Sequence, residues 1–497
     1  MRLNIKLFSL FIHRYFTNII IRIIDKNDII RYNNIKMGEK VFFCKNEKKH
    51  RENLKNGGIQ MDKNQTVGKE KIASLFDAGT FVEIGAYIKR SGKSEAYDGV
   101  ICGYGAVSGK LAFAFVQDSD RSKGAFDEAG AKKIEMLYDM AIKNGAPVVG
   151  VFDSAGAAVL DGSATLAAYG RFAACVAKAS GIVPQIALYD GLCTGMALTV
   201  ANMFDISVKV EGKAELYLKA SAKDKEIACA IETKDEAEAF AAVRNLIEIL
   251  PQNNKDDASV MSGDDAARSV AVRGLTGKAL VEALADNGTF TELYAVNSGI
   301  VTGFAFFGGT LCGVIASDNS CDAGKIGFIG AKKAADMISF CDRFGISILT
   351  LVDSEGLCDC ACAKCTARLT MAYANATVAK VTAVVGKAYG AGFTLLGSKT
   401  LGADLEIALE DAVISVMSPE SAVAFLMNDK ITQDKSRADV EKEWCDKYAS
   451  AVCAAEKGDI DDIVDEATLR ARICSALYML STKADACPDR KYARTPL

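Results

Sequence analysis

The sequence predicts an α/β chain that uses one pattern of strands and helices twice. Three observations carry this. The first is a repeat at an offset of 200 residues. VICGYGAVSGKLAFAFVQD (100–118) aligns with IVTGFAFFGGTLCGVIASD (300–318), and GAKKIEMLYDMAIKNG (130–145) with GAKKAADMISFCDRFG (330–345). The stretches ending at Gly156 and Gly356 then carry Asp153 and Asp353 in the same register. Register held over several elements marks a duplication. The second is a switch within each copy from strand-like to helical apolar spacing. The third is size: 497 residues, half of them apolar, exceed one ordinary domain.

In the first copy, strands at about 98–104 and 110–117 flank a glycine turn. Ala131, Ile134, Leu137, Tyr138 and Ala141 recur at helical spacing, which predicts a helix over about 127–144 stopped by Gly145. Pro147 opens the strand VVGVF, apolar on both sides as a covered parallel strand is. Asp153-Ser154 leads into a turn, and a helix over about 162–180 follows. The strand QIALY comes next, with a glycine turn at Gly191. A helix over 236–250 ends at Pro251, and the polar stretch 251–265 reads as a link. The domains are expected at 65–250 and 265–435. The chain from 436 to 497 reads as a helical tail, with Trp444 and Tyr448 four apart as a packing pair.

Residues 1–60 do not match the rest. They hold 13 Lys and Arg against 5 Asp and Glu, and no Ala. Lys6, Arg14 and Arg22 interrupt the apolar run 3–24, which argues against a membrane span, and no A-x-A-like cleavage site follows. The segment is expected to be a non-native or disordered basic extension. Met61, preceded by Gly57-Gly58, is the expected native start.

Composition also excludes chemistry. A net charge of −4 with no offsetting basic domain argues against nucleic-acid binding. The two histidines are His13 and His50, so the body has no imidazole for Ser-His-Asp or Cys-His catalysis, zinc ligation or acid-base work. No G-x-x-x-x-G-K-[ST] loop indicates ATP, and GYGAVSG lacks the NAD fingerprint. With no export signal, the 16 cysteines are expected to be mostly reduced thiols in a cytoplasmic protein. Cys358, Cys360, Cys362 and Cys365 form a dense group; reduced loop thiols are the main reading and a metal site the weak alternative. Lys132, Lys133, Lys332 and Lys333 stand at matching helix starts and read as solvated faces, with a ligand phosphate as the alternative partner.

Several stretches carry a family resemblance. In the first copy they are FDAGTFVEIG (76–85), DGVICGYGAVSGK (98–110) and SGIVPQIALYDGLCTGMA (180–197). In the second they are FIGAKKAADMISFCDRFGISILTLVDSEG (328–356) and AYANATVAKVTAVVGKAYGAGFTLLGSKTLGADLEIA (372–408). The chain resembles the carboxyltransferase subunits of biotin-dependent acyl-CoA carboxylases and the α subunits of sodium-pump decarboxylases. The resemblance implies tandem duplicated crotonase-like (ClpP/crotonase) domains built from strand-strand-helix units. It implies carboxyl transfer between biotin on a partner carrier protein and the α-carbon of a short acyl-CoA, with backbone oxyanion holes doing the work. The first hole corresponds to Gly195 and Met196, on the biotin side, and the second to Ala391 and Gly392, on the thioester side. Ser154, Ala155, Gly156, Gly356 and Gly390 are the implied binding-turn residues.

Implied partners are the biotin carrier, and a biotin carboxylase or membrane decarboxylase subunits. A homodimer or hexamer is expected. No Met-Lys-Met centre occurs, so biotin would arrive on another chain. The chain departs from the family's pattern at Met196, where Gly is usual, and at Ala158, where Arg is usual. Residues 215–232 lack the expected T-G-E pattern, and the turn Asp353–Gly356 lacks a proline. Two other readings stand beside the first: a biotin-independent crotonase-like acyl-CoA enzyme, and a degenerate structural or regulatory subunit.

Overall fold

The computed structural model describes residues 66–89, 98–219 and 229–485. The basic segment 1–60 and Met61 lie outside the described residues, as does part of the unmatched stretch 215–232.

The first half opens with helix α1 (Val67–Leu75), then β1 (Val82–Ile84), β2 (Val100–Val107) and β3 (Lys110–Gln117). β2 and β3 pair antiparallel through Ser108 and Gly109, whose φ values of 49° and 78° make the double-positive turn that suits a twisted hairpin. Helix α2 (Glu128–Asn144) is capped by Asp127, whose side chain accepts the Gly130 N–H, and ends at Gly145 with φ 61°. β4 (Val148–Ser154), α3 (Ser163–Ala179), β5 (Gln185–Thr194), α4 (Met196–Ala201), β6 (Ile206–Val210), β7 (Glu215–Tyr217), β8 (Ile231–Thr233) and α5 (Glu236–Ile249) complete it. From β3 onward the strands pair parallel. Parallel strands need helical crossovers, which cover both faces of the sheet.

The second half repeats this: α6 (Gly277–Leu284), β9 (Thr291–Leu293), β10 (Ile300–Phe307), β11 (Thr310–Ser317), α7 (Phe328–Arg343), β12 (Ser347–Ser354), α8 (Ala363–Asn375), β13 (Lys380–Tyr389), α9 (Ala391–Leu395), β14 (Leu405–Leu409) and β15 (Val413–Ser415). Helices α10 (Pro419–Leu426), α11 (Arg437–Trp444) and α12 (Ala451–Lys457) then intervene before β16 (Asp462–Val464) and α13 (Leu469–Met479). Among the described residues the two sheets run β1-β2-β3-β4-β5-β6-β8 and β9-β10-β11-β12-β13-β14-β16, the same order, with β7 on β5 and β15 on β13. One apolar cluster, with Phe115, Phe152 and Phe172, lies within the first half. A larger one joins Val149 and Ile186 to Phe304 and Ile338 of the second.

Four expectations are corrected. Gly191 is not a turn: β5 runs through it to Thr194. Its small size is needed because a Cβ there would lie 2.2 Å from Asp153 Oδ1, and Gly386 stands against Asp353 in the same way, at 2.5 Å. The offset between halves has thus fallen from 200 to 195. Second, the second sheet does not close by residue 435. Its last strand and helix lie beyond it, and the tail is not helical throughout. The reason is visible in a matched clamp. Asp77 accepts the amides of Ser108 and Gly109 and pairs with Arg244 at 2.6 Å. Asp286 accepts those of Gly308 and Gly309 and pairs with Arg470 at 2.5 Å. Third, Lys133 and Lys333 are buried and do not form solvated faces. Lys133 is 1% exposed and reaches Asp98 at 2.6 Å. Lys333 donates to the carbonyls of Tyr294 and Val296. Lys132 and Lys332 are exposed. Fourth, the Cys358 and Cys360 sulfurs are joined in a disulfide. Trp444 and Tyr448 do pack, with centroids 6.3 Å apart.

Candidate active site

Each half ends its central parallel strand in the same device. β5 passes into α4 through Gly195 (φ 57°, ψ −123°), and β13 into α9 through Gly390 (φ 49°, ψ −109°). This corner of backbone space favours glycine. Both glycine amides are occupied: Gly195 N–H donates to the Tyr217 carbonyl and Gly390 N–H to that of Ser415, each at 2.8 Å. Both glycine carbonyls accept the amide four residues on, from Thr199 and Thr394. Gly195 therefore matches Gly390, Met196 matches Ala391, and Ala197 matches Gly392.

The first amides of a helix have no acceptor within it. Each turn therefore offers a pair, Ala391 with Gly392 in the second half and Met196 with Ala197 in the first. Gly195 shapes the bend and donates its own N–H to the Tyr217 carbonyl. In the sequence, GLCTGMA (191–197) and GKAYGAG (386–392) align glycine on glycine.

The two turns differ in what surrounds them. A Cβ on Gly392 would sit 2.7 Å from the Ser354 carbonyl oxygen, so the helix start lies directly on the tip of β12. Ala197 is fully buried at the matching place. The Met196 side chain is 44% exposed, where the second half has only the methyl of Ala391. Beneath the first turn lies a buried ion network. Lys71, 3% exposed, reaches Asp153 at 3.0 Å and Asp190 at 2.7 Å, and Lys213 reaches Asp190 at 2.8 Å. Burial works to lower the Lys71 pKa, but Asp190 and then Asp153 outweigh it and raise it. Beneath the second turn, Asp353 instead accepts from Asn319 Nδ2 and the Lys387 amide, both at 2.8 Å.

The other candidate residues form the frame. Ser154 is buried; its Oγ donates to the Gly124 carbonyl at 2.6 Å and accepts the Gly156 N–H at 3.0 Å. Ser354 Oγ accepts the Gly356 N–H at 3.2 Å. The Ala155 amide donates to the Lys123 carbonyl, and the Gly156 and Gly356 carbonyls accept from Phe126 and Ile326. These residues hold the wall beside each turn, and their polar groups are mostly satisfied within it. Two charged side chains missed at the sequence level stand there as well. Lys387 pairs with Glu355 at 2.7 Å, which raises the Lys387 pKa. The four clustered cysteines do not converge: among the described residues, no group of three or more Cys, His, Asp or Glu is placed to hold a metal. No described helix is long and apolar enough to cross a membrane.

Two fixed amides aimed at one point stabilise an oxygen that gains negative charge, without imidazole. Comparison with known proteins fits such a site. The carboxyl transferase domain family matches residues 60–223 and 228–495. The chain is 31% identical over 486 residues to the propionyl-CoA carboxylase beta chain of Cereibacter sphaeroides, covering 88% of this chain and 95% of that one. It is 32% identical over 498 residues to methylmalonyl-CoA decarboxylase subunit alpha of Propionigenium modestum, covering 89% and 96%. It also superposes on a transcarboxylase 12S structure with hydrolysed methylmalonyl-CoA bound. The TM-score is 0.80 at 27% identity, covering 90% of this chain and 95% of the other, and that protein's structure is described as a hexamer assembly.

Proposed function

From the premise that the chain belongs to the carboxyl transferase family, we propose that its two turns divide one reaction between them. The protein is an enzyme, a carboxyltransferase component acting on an acyl-CoA. The second-half turn holds the thioester oxygen of a short acyl-CoA of the acetyl, propionyl or methylmalonyl type. When the α-carbon loses its carboxyl group or accepts one, charge moves onto that oxygen. The Ala391 and Gly392 amides meet that charge, and one such donor is worth about 3 kcal/mol in the transition state. The observation that carries this is the absence of any side chain at Gly392, which seats the helix start on Ser354.

The first-half turn serves biotin carried on a partner protein, which supplies or receives the carboxyl group when bound. Met196 and Ala197 fit that role. Their helix start offers its first amides, and the Met196 side chain is exposed beside them. Partners are the biotin carrier with a biotin carboxylase or with membrane decarboxylase subunits. The working form is a homodimer or larger, in the cytoplasm, and the two domains begin near residues 65 and 265.

The test is conversion of methylmalonyl-CoA to propionyl-CoA by the full chain, with and without free biotin. Conversion that requires biotin is expected. Biotin-independent conversion favours the crotonase-like alternative, and none with any short acyl-CoA favours the degenerate subunit.

A further inference from the structure

The loop after β12 is built differently from its counterpart, and the difference is chemical. In the first half Asp127 caps α2, accepting the Gly130 N–H at 2.9 Å. The matching position before α7 is Gly327, with no side-chain cap. The space is filled by sulfur: a Cβ on Gly327 would lie 2.8 Å from Cys360 Sγ and 3.1 Å from Cys358 Sγ. The first half has Ala158 and Leu160 where these cysteines stand. The Cys358–Cys360 pair, with Cα atoms 5.3 Å apart, is thus accommodated by a second position that gave up its own cap.

This pair is tied to the acyl turn. The Ile326 N–H donates to the Gly356 carbonyl and the Cys358 N–H to the Ile326 carbonyl. The Gly356 N–H donates to Ser354 Oγ, and a Cβ on Gly356 would lie 3.2 Å from the carbonyl of Tyr389, the residue before Gly390. Ser354 in turn supports Gly392. Cys362 and Cys365 follow at the start of the 13-residue helix α8. The Cys365 backbone amide, then contact with its thiol and the Lys364 amide, draw the Cys362 thiol below its ordinary value.

We infer that Cys358 and Cys360 form a reversible thiol–disulfide site that sets the geometry of the acyl turn, its substrate being a dithiol, small or protein-borne. This rests on the acyl role given above to Ala391 and Gly392. In the reaction, one thiolate of the dithiol attacks the Sγ of Cys360, the more exposed of the two residues. The Sγ–Sγ bond breaks, and Cys358 leaves as a thiolate and is protonated. The second thiolate of the reductant then displaces Cys360, which is protonated in its turn. The site gains two electrons and two protons, and the reductant departs as its own disulfide. Attack at an accessible sulfur is what makes a disulfide labile and regulatory, and disulfides in a reducing compartment are mostly of that kind. The first half holds Gly156 and Ser154 by the same hydrogen bonds without a disulfide, so in the second half the oxidised pair adds a covalent brace to that frame, and the oxidised enzyme is the better catalyst.

The test uses the full chain, poised with oxidised or reduced dithiothreitol. Alkylation and mass mapping should find Cys358 and Cys360 protected when oxidised and labelled when reduced. Amide exchange in 354–362 should rise on reduction. The kcat/KM for acyl-CoA should fall roughly tenfold, as displacement of a positioned group implies, and recover on reoxidation. The C358S/C360S double variant should stay at the reduced level in both buffers. Free labelling of both cysteines under oxidising conditions overturns the inference. So does transfer that is equal in both states. Redox-dependent exchange with no transfer in either state supports the thiol site and instead counts against the acyl-transfer reading.

Discussion

The two halves share a strand order, a hairpin turn clamped by an Asp–Arg pair, and a glycine bend between strand and helix. Their differences are concentrated around that bend. The second half keeps its helix start bare, with Ala391 and Gly392 pressed onto Ser354, and rests on neutral hydrogen bonds to Asp353. The first half places an exposed methionine at the same point and sets it over Lys71, Asp153, Asp190 and Lys213. A duplicated scaffold has kept its frame and changed its mouths. Framework residues answer to packing, and mouth residues answer to what enters, so the differences mark the specialised surfaces.

Buried lysines give the largest expected contrast. Lys133→Met would leave Asp98, fully buried, without its cation, and breaking such a pair costs about 3–5 kcal/mol. Lys333→Met removes a cation that meets only two carbonyls, so its cost should be nearer ~1 kcal/mol. Urea unfolding of both variants checks this, and equal losses would break the comparison. Next is Gly392→Val. Its Cβ must displace the Ser354 backbone and with it the paired amides, so kcat/KM for acyl-CoA should fall about a hundredfold in a chain that still folds.

Met196→Gly should be milder. It clears the first mouth and leaves the Ala197 amide in place, so kcat/KM for biotin should hold or rise while that for acyl-CoA stays level. A loss confined to acyl-CoA would reverse the assignment of the two turns. The last contrast is one of pH. Burial pushes the Lys333 amine down to about 8 from its ordinary value of 10.5. Between those values the unfolded chain binds more protons than the native one, so raising pH through that window stabilises the fold through this group. The stability gap between wild type and Lys333→Met should shift in the wild type's favour from pH 8 to 10.5.

Much of the scaffold was legible in the sequence. Strands with apolar runs, helices with a 3.6-residue period and a glycine at the stop of α2 all fell where the pattern put them. The misses have physical causes. Lys133 and Lys333 carry long charged side chains, and nothing in their own neighbourhood reveals that Asp98 or a carbonyl pair waits in the core. Gly191 looked like a turn because glycine usually marks one, whereas here it makes room for Asp153. The last strand of the second sheet was hidden by the helices α10, α11 and α12, which separate it from its neighbours in the chain. Nor does anything in GLCTGMA show that the Gly195 N–H is taken by the carbonyl of Tyr217 on β7.

In the proposed division of labour the second turn, and not the first, receives the thioester. A crystal structure of the full chain with a short acyl-CoA bound tests it directly. The thioester oxygen is expected within hydrogen-bond distance of both the Ala391 and Gly392 amides, with the Met196–Ala197 turn free of it. A thioester oxygen seated on Met196 and Ala197, or away from both turns, would contradict it.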